Sequence, residues 1–317
     1  MTASTAERRK KPPEASSNDL NRPGLGAAGE HRNSRTILGI NFFAGTARDA
    51  VALGLKGGLV VAPAAPALVN LPHDDHYRLA VTSADLAITD SSLMVMLWNL
   101  TRRDNIPRVS GLEYLTLLLQ SFNQSNHEPP FFVMPTKKAA VRTSNWLNKH
   151  GIQCAESHCY VAPLYKNTEV EDSTLLMVLE ELKPAQIIIG LGGGTQEKLG
   201  LFLRKRLSYM PGIHCIGAAI GFLTGDQVKI PMWADSLFLG WLFRCMDQPR
   251  SYIPRYWRAR KLLWQMVFSR PVQQRVDACS PGQLTGGAVS SGSHRVNATT
   301  STADRPEKQS QTHPVGI

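Results

Sequence analysis

Long hydrophobic runs are missing from this 317-residue chain. The most apolar stretch, Val51 to Leu71, is interrupted by Lys56, prolines and several glycines, too broken for the roughly 20 apolar residues a bilayer-spanning helix needs. The N-terminus carries Arg8, Arg9, Lys10 and Lys11 with no apolar run behind them. A secretory signal does not look like that, and a cytoplasmic location is expected. Cysteine is scarce. Cys154, Cys159, Cys215, Cys245 and Cys279 have spacings that suit neither a disulfide framework nor a zinc knuckle, so reduced, mostly structural thiols are expected. Acidic residues all but vanish between 241 and 270, where seven Lys/Arg face only Asp247.

What is present suits a globular α/β protein. With 43% hydrophobic and 19% charged residues, a sizeable core can be buried. Residues 1–34 and 271–317 are polar and without apolar period, and are expected to be disordered tails. A core over 35–240 and an appendage over 241–270 lie between them. Short apolar runs predict buried strands at Gly58–Ala62, Asp85–Thr89, Pro130–Met134, Gln186–Gly190 and Ile213–Gly217. Helical patterns cover about Thr46–Lys56, Asp74–Ser83, Ser92–Leu100, Gly111–Asn123, Lys137–Lys149, Asp172–Leu182 and Gln196–Leu207, the sixth headed by Asp172 as capping residue. Alternating strands and helices imply a parallel sheet with helices on both faces and ligands beyond the strands' carboxyl ends.

Three loops after strands hold candidate site residues. Asp85 to Ser92 delivers a carboxylate, Asp90, at a strand end ahead of a helix. Asp90 can act on a ligand or simply cap that helix. Gly190 to Glu197 contains Gly192, Gly193 and Gly194, which let backbone amides approach a phosphate. It is neither G-x-G-x-x-G nor the Lys-containing phosphate loop, which speaks against a nicotinamide dehydrogenase. Gln196, next to it, carries both a donor and an acceptor and suits sugar hydroxyls or a uracil edge. Arg108 precedes a third helix, and its planar fork suits phosphate or carboxylate.

The basic segment interleaves Arg244, Arg250, Arg255 and Arg258 with Trp241, Phe243, Tyr252, Tyr256, Trp257, Trp264 and Phe268. Aromatic rings beside cations suit an anionic membrane surface, where each cation contributes about 1 kcal/mol.

Taken together, Asp90, Arg108-Val109-Ser110-Gly111, Leu191 to Lys198, Gly217 to Trp233, and Trp241 to Arg244 followed by Pro249-Arg250 and Arg255-Tyr256 resemble the WecG/TagA/CpsF glycosyltransferase family, over about Ile37 to Arg260. The resemblance implies a Rossmann-like core with a helical, membrane-associating C-terminal appendage. It further implies inverting, metal-independent sugar transfer, with no cofactor, from a nucleotide sugar to a polyprenyl-diphosphate-linked acceptor. Asp90 would be the base, Arg108, Gly192, Gly193, Gly194 and Gln196 would bind donor, and Arg244, Arg250, Arg255 and Arg258 would contact diphosphate. The expected partners are donor, lipid-linked acceptor and an anionic membrane; nucleic acid is not expected, and a homo-oligomer is left open. This chain departs from the family at Ala62-Pro63-Ala64, where a Thr-x-Asn pair is usual, and at Ser91, Lys229-Ile230-Pro231, Gly240 and Ser251. The alternative is a binding module for membrane or nucleic acid that kept the fold and lost the chemistry.

Overall fold

The computed structural model describes residues 33–124, 128–165, 170–217, 219–225, 242, 245–246 and 249–268. The expected tails lie outside them except for Asn33 and Ser34, and all of them belong to one unit ending at Gln273. The chain opens with β1 (Ser34–Ile37), β2 (Ile40–Phe43), α1 (Ala47–Gly54), β3 (Gly58–Val61), α2 (Ala65–Leu68), α3 (Asp75–Thr82), β4 (Leu86–Ala87) and α4 (Ser92–Arg102). It continues with α5 (Gly111–Gln124), β5 (Phe131–Met134), α6 (Lys137–Lys149), β6 (Cys159–Val161), α7 (Ser173–Leu182), β7 (Gln186–Ile189), α8 (Thr195–Arg206), β8 (Gly212–Cys215) and α9 (Ala219–Thr224). Past the undescribed stretch come α10 (Pro249–Ala259) and α11 (Lys261–Phe268).

The eight strands form one sheet in the order β1-β2-β4-β3-β8-β7-β5-β6. Every pairing is parallel except the β1–β2 hairpin, so this is the parallel sheet that the alternation implied, in the Rossmann-like form that the resemblance implied. All five expected strands are present. Their alternation divides the core in two: Leu59, Val61, Ile187 and Ile189 pack beneath α3, α4, α7 and α8, while Val60, Phe132, Met134 and Ile188 pack beneath α1, α5, α6 and α9. A strand buried on both faces reads as an unbroken apolar run, and that is why short runs sufficed to find these five.

β1, β2 and β6 escaped the sequence reading. The hairpin turn is Leu38-Gly39, with φ of 54° and 81°. Such a left-handed pair usually announces itself as Asn-Gly, and a leucine there hides it. The hairpin also begins at Ser34, inside the expected tail. β6 is three residues long and half exposed. Helix starts obey the expected chemistry: Asp172 accepts the Leu175 amide at 2.9 Å, Asp74 accepts Tyr77 at 2.9 Å, and Thr136 accepts Ala139 at 3.1 Å.

Candidate active site at the strand ends

β4, β3, β8 and β7 lie side by side in the sheet, and the loops leaving their carboxyl ends carry the residues singled out above. β4 and β7 are three inter-strand steps apart, about 14 Å, so the Asp90 loop and the glycine loop leave the same edge of the sheet with the loops after β3 and β8 between them.

Asp90 is half-buried and does not cap the helix that follows it. Ser91 does that, accepting the Met94 amide at 3.2 Å. Asp90 Oδ1 instead accepts the amide proton of Gly111, the first residue of α5, at 2.8 Å. Its Oδ2 has no hydrogen bond among the described residues. Arg108 Nε donates to the Asp90 backbone oxygen at 3.1 Å, so two of the candidates are joined directly. A methyl placed on Gly111 would lie 3.5 Å from Ile216 O, 3.6 Å from Asp90 Oδ1 and 3.9 Å from Ala62 Cβ, which brings the loops after β3, β4 and β8 to one point. Ala62, just past the end of β3, therefore lies near Asp90 and offers only a methyl group.

The glycine loop behaves differently from a plain phosphate cradle. Gly194, at φ 94°, begins α8, and its amide donates to Glu197 Oε2 at 2.6 Å. The amides of Thr195 and Gln196 turn back onto Gly192 O, both at 3.2 Å. Three amides that an anion would use are thus engaged within the loop, leaving the exposed Gly192 and Gly193 as the donors it can offer. Glu197 is fully buried, and burial raises its carboxyl above the ordinary value.

Gln196 was expected to meet the ligand through both ends of its amide. It is 2% exposed; its Nε2 donates to Glu197 Oε1 at 3.1 Å and to Cys215 O at 3.3 Å, and its Oε1 accepts the Gly217 amide at 2.7 Å. Both amide protons are used. In this geometry it is a clamp between α8 and the loop after β8.

The appendage packs against the helices that leave two site loops, α10 on α2 and α11 on α4. Ala259, Leu262 and Met266 are buried in the core there, and Gln265 Nε2 donates to Val69 O at 3.1 Å. Arg250 and Arg258 are exposed, as are Ile253, Trp257, Leu263 and Trp264. Arg260 stacks over the Trp257 ring at 4.0 Å. Arg244 lies outside the described residues, and of Arg255 only its backbone place within α10 is described.

The sequence reading missed Thr89 and Asn99, whose side chains tie the Arg108 segment to β4 and α4, and gave Glu197 no role beyond its motif. A threonine at a strand end and an asparagine inside a helix are too common to stand out without the partner segment in view. Among the described residues no helix is long and apolar enough to cross a membrane. No curated protein matches the sequence. The Glycosyl transferase WecG/TagA/CpsF family matches residues 35–276, a span that takes in the sheet apart from Ser34, the strand-end loops and the appendage, and the chain belongs to this family of glycosyltransferases of cell-surface polymer synthesis.

Proposed function

We propose that the protein moves a hexose or N-acetylhexosamine from a UDP-sugar to a polyprenyl-diphosphate-linked acceptor in the synthesis of an exopolysaccharide or related surface polymer, by one inverting displacement without a metal cofactor. The observation that carries this reading is Asp90, just past the end of β4: one carboxylate oxygen is anchored by the Gly111 amide while the other has no hydrogen bond among the described residues. A base held by one oxygen and without a hydrogen bond at the other is suited to take a proton.

In the proposed step the acceptor hydroxyl oxygen attacks the anomeric carbon, its proton passes to Asp90, and the bond from that carbon to the UDP oxygen breaks. General-base help of this kind contributes on the order of 10²- to 10⁴-fold. The negative charge developing on the leaving diphosphate needs donors; the amides of Gly192 and Gly193, Arg108, and the appendage arginines 244, 250, 255 and 258 are the candidates. The exposed rings and cations of α10 and α11 suit peripheral docking on the cytoplasmic face of an anionic membrane, where a lipid-linked acceptor resides.

The test is Asp90→Asn. Donor binding, followed by thermal shift with UDP-glucose, UDP-galactose, UDP-N-acetylglucosamine, UDP-N-acetylgalactosamine and UDP-N-acetylmannosamine, should persist while transfer to a prenyl-diphosphate-linked N-acetylglucosamine is lost. Normal turnover by the variant would reduce Asp90 to an anchor for the first amide of α5. Unchanged activity in excess EDTA supports metal independence, and loss restored by a divalent ion removes it.

A further inference from the structure

Residues 103–110, between α4 and α5, contain no helix or strand, yet they set where Arg108 and the Gly111 amide lie. The segment is held in place of a backbone ladder by side chains. Asn99 of α4 grips Ile106 with both ends of its amide, Nδ2 to Ile106 O at 3.1 Å and Oδ1 from Ile106 N at 3.0 Å. Thr89, immediately before Asp90 and fully buried, donates its hydroxyl proton to Pro107 O at 2.7 Å and accepts the Val109 amide at 3.0 Å. These two bonds bracket Arg108. From the next residue along β4's exit, Asp90 closes the junction through its own oxygen to Arg108 and its carboxylate to Gly111.

We propose that Thr89 is a positioning residue for sugar transfer: its hydroxyl registers the Arg108 segment against the end of β4, and so fixes the aim of the Asp90 carboxylate and the place of the Arg108 guanidinium. This rests on the transferase reading above. The hydroxyl is suited to the task because one atom both donates and accepts, and because a proline at 107 has no amide to offer a neighbouring strand. Without it, the buried Val109 amide and the Pro107 carbonyl lose their partner, and the segment has freedom to shift relative to Asp90. A displacement of about 1 Å in a reacting constellation lowers rate by up to about 10²-fold while leaving substrate binding largely intact.

Full-length Thr89→Val, which keeps the shape and loses the hydroxyl, and Thr89→Ser, which keeps the hydroxyl, are compared for UDP release from the five UDP-sugars above with the same acceptor. Amide hydrogen exchange over residues 106–111 is measured in parallel. The expected result is a kcat for Thr89→Val lower by roughly 10- to 100-fold with donor KM within about threefold of the parent, faster exchange over 106–111, and recovery of both in Thr89→Ser. Parental kcat in Thr89→Val overturns the proposal, as does a Thr89→Ser variant as slow as Thr89→Val. If Thr89→Val does not fold, Thr89→Cys, a weak hydrogen bonder of similar size, is judged by the same outcomes. A parent protein that releases UDP from none of the five donors overturns the transferase reading and the positioning role with it, whereas an active parent with an unimpaired valine variant overturns the positioning role alone.

Discussion

The Tyr114 hydroxyl and His214 Nδ1 lie 2.9 Å apart, on the face of the sheet that α5 covers. Gln186 donates an amide proton from Nε2 to Leu55 O at 3.0 Å and presents its oxygen to His214 Nε2 at 2.8 Å. That oxygen can only accept, so Nε2 carries the ring proton and Nδ1 accepts from Tyr114. The ring is held neutral, and burial lowers its pKa from 6.5 to about 3. The unfolded chain therefore binds this proton more readily than the folded one. The stabilisation is complete above about pH 6.5 and is lost as pH falls from there towards 3, with a slope of up to about 1.4 kcal/mol per pH unit. Urea midpoints at pH 7.5 and pH 5 should differ in that sense, and His214→Gln should flatten the difference; an undiminished slope in the variant would assign it to another group.

Gly54, the last residue of α1, lies against the same network. A methyl group there would collide with the Tyr114 hydroxyl and sit 3.2 Å from His214 Cε1. Gly54→Ala should destabilise the fold by roughly 1–3 kcal/mol, against the usual gain in helix propensity of about 1 kcal/mol for replacing glycine with alanine. A thermal melt with a raised midpoint would show that α1 can move aside.

Two aspartates flank β4, and they should respond in opposite ways. Asp85 Oδ2 accepts the Leu59 amide at 2.8 Å and pairs with Arg204 Nε at 2.7 Å, while Oδ1 accepts from the second arm of the same guanidinium at 2.8 Å. Asp85→Ala strands a part-buried arginine and a backbone amide, and a loss of about 3 kcal/mol or more is expected with kcat per folded molecule unchanged. Asp90→Asn should retain the melting temperature within a few degrees and lose transfer. Paired melts and single-turnover rates decide it; a melting loss in Asp90→Asn as large as that in Asp85→Ala would make both structural.

Trp257 and Trp264 are each 65% exposed on the appendage helices. Replacing both with alanine should weaken co-sedimentation with phosphatidylserine-containing vesicles, and rising salt should weaken the parent protein likewise. Equal binding to neutral vesicles would exclude the electrostatic part. Point variants are needed because deleting everything after Gly240 also removes Ala259, Leu262 and Met266 from the core, and inactivity would then report damage to the fold.

Much of the α/β frame was legible from local pattern. Residues such as Ile187 to Ile189 are apolar because both sheet faces bury them, and Asp172 marks a helix start by the same short-range bond wherever it occurs. Leu38-Gly39 was illegible because packing holds a leucine in a conformation its own propensity disfavours. Asp90 was found by its place after an apolar strand, but its partner was not, since Gly111 is remote along the chain and adjacent only once the sheet has formed.

Sequence alone therefore determined what depends on neighbours a few residues away: the five buried strands, the seven helices from α1 to α8 other than α2, the basic aromatic segment, and which loops leave those strands' carboxyl ends. Tertiary structure decided the roles within those loops. It set Asp90 on the first amide of α5 and left the capping of α4 to Ser91, closed the glycine loop with Glu197, turned Gln196 inward, and set Thr89 against Arg108's neighbours. Hydrogen-bond partners of a side chain are chosen by distance in space, and only the folded sheet brings the ends of β4, β3, β8 and β7 within reach of one another.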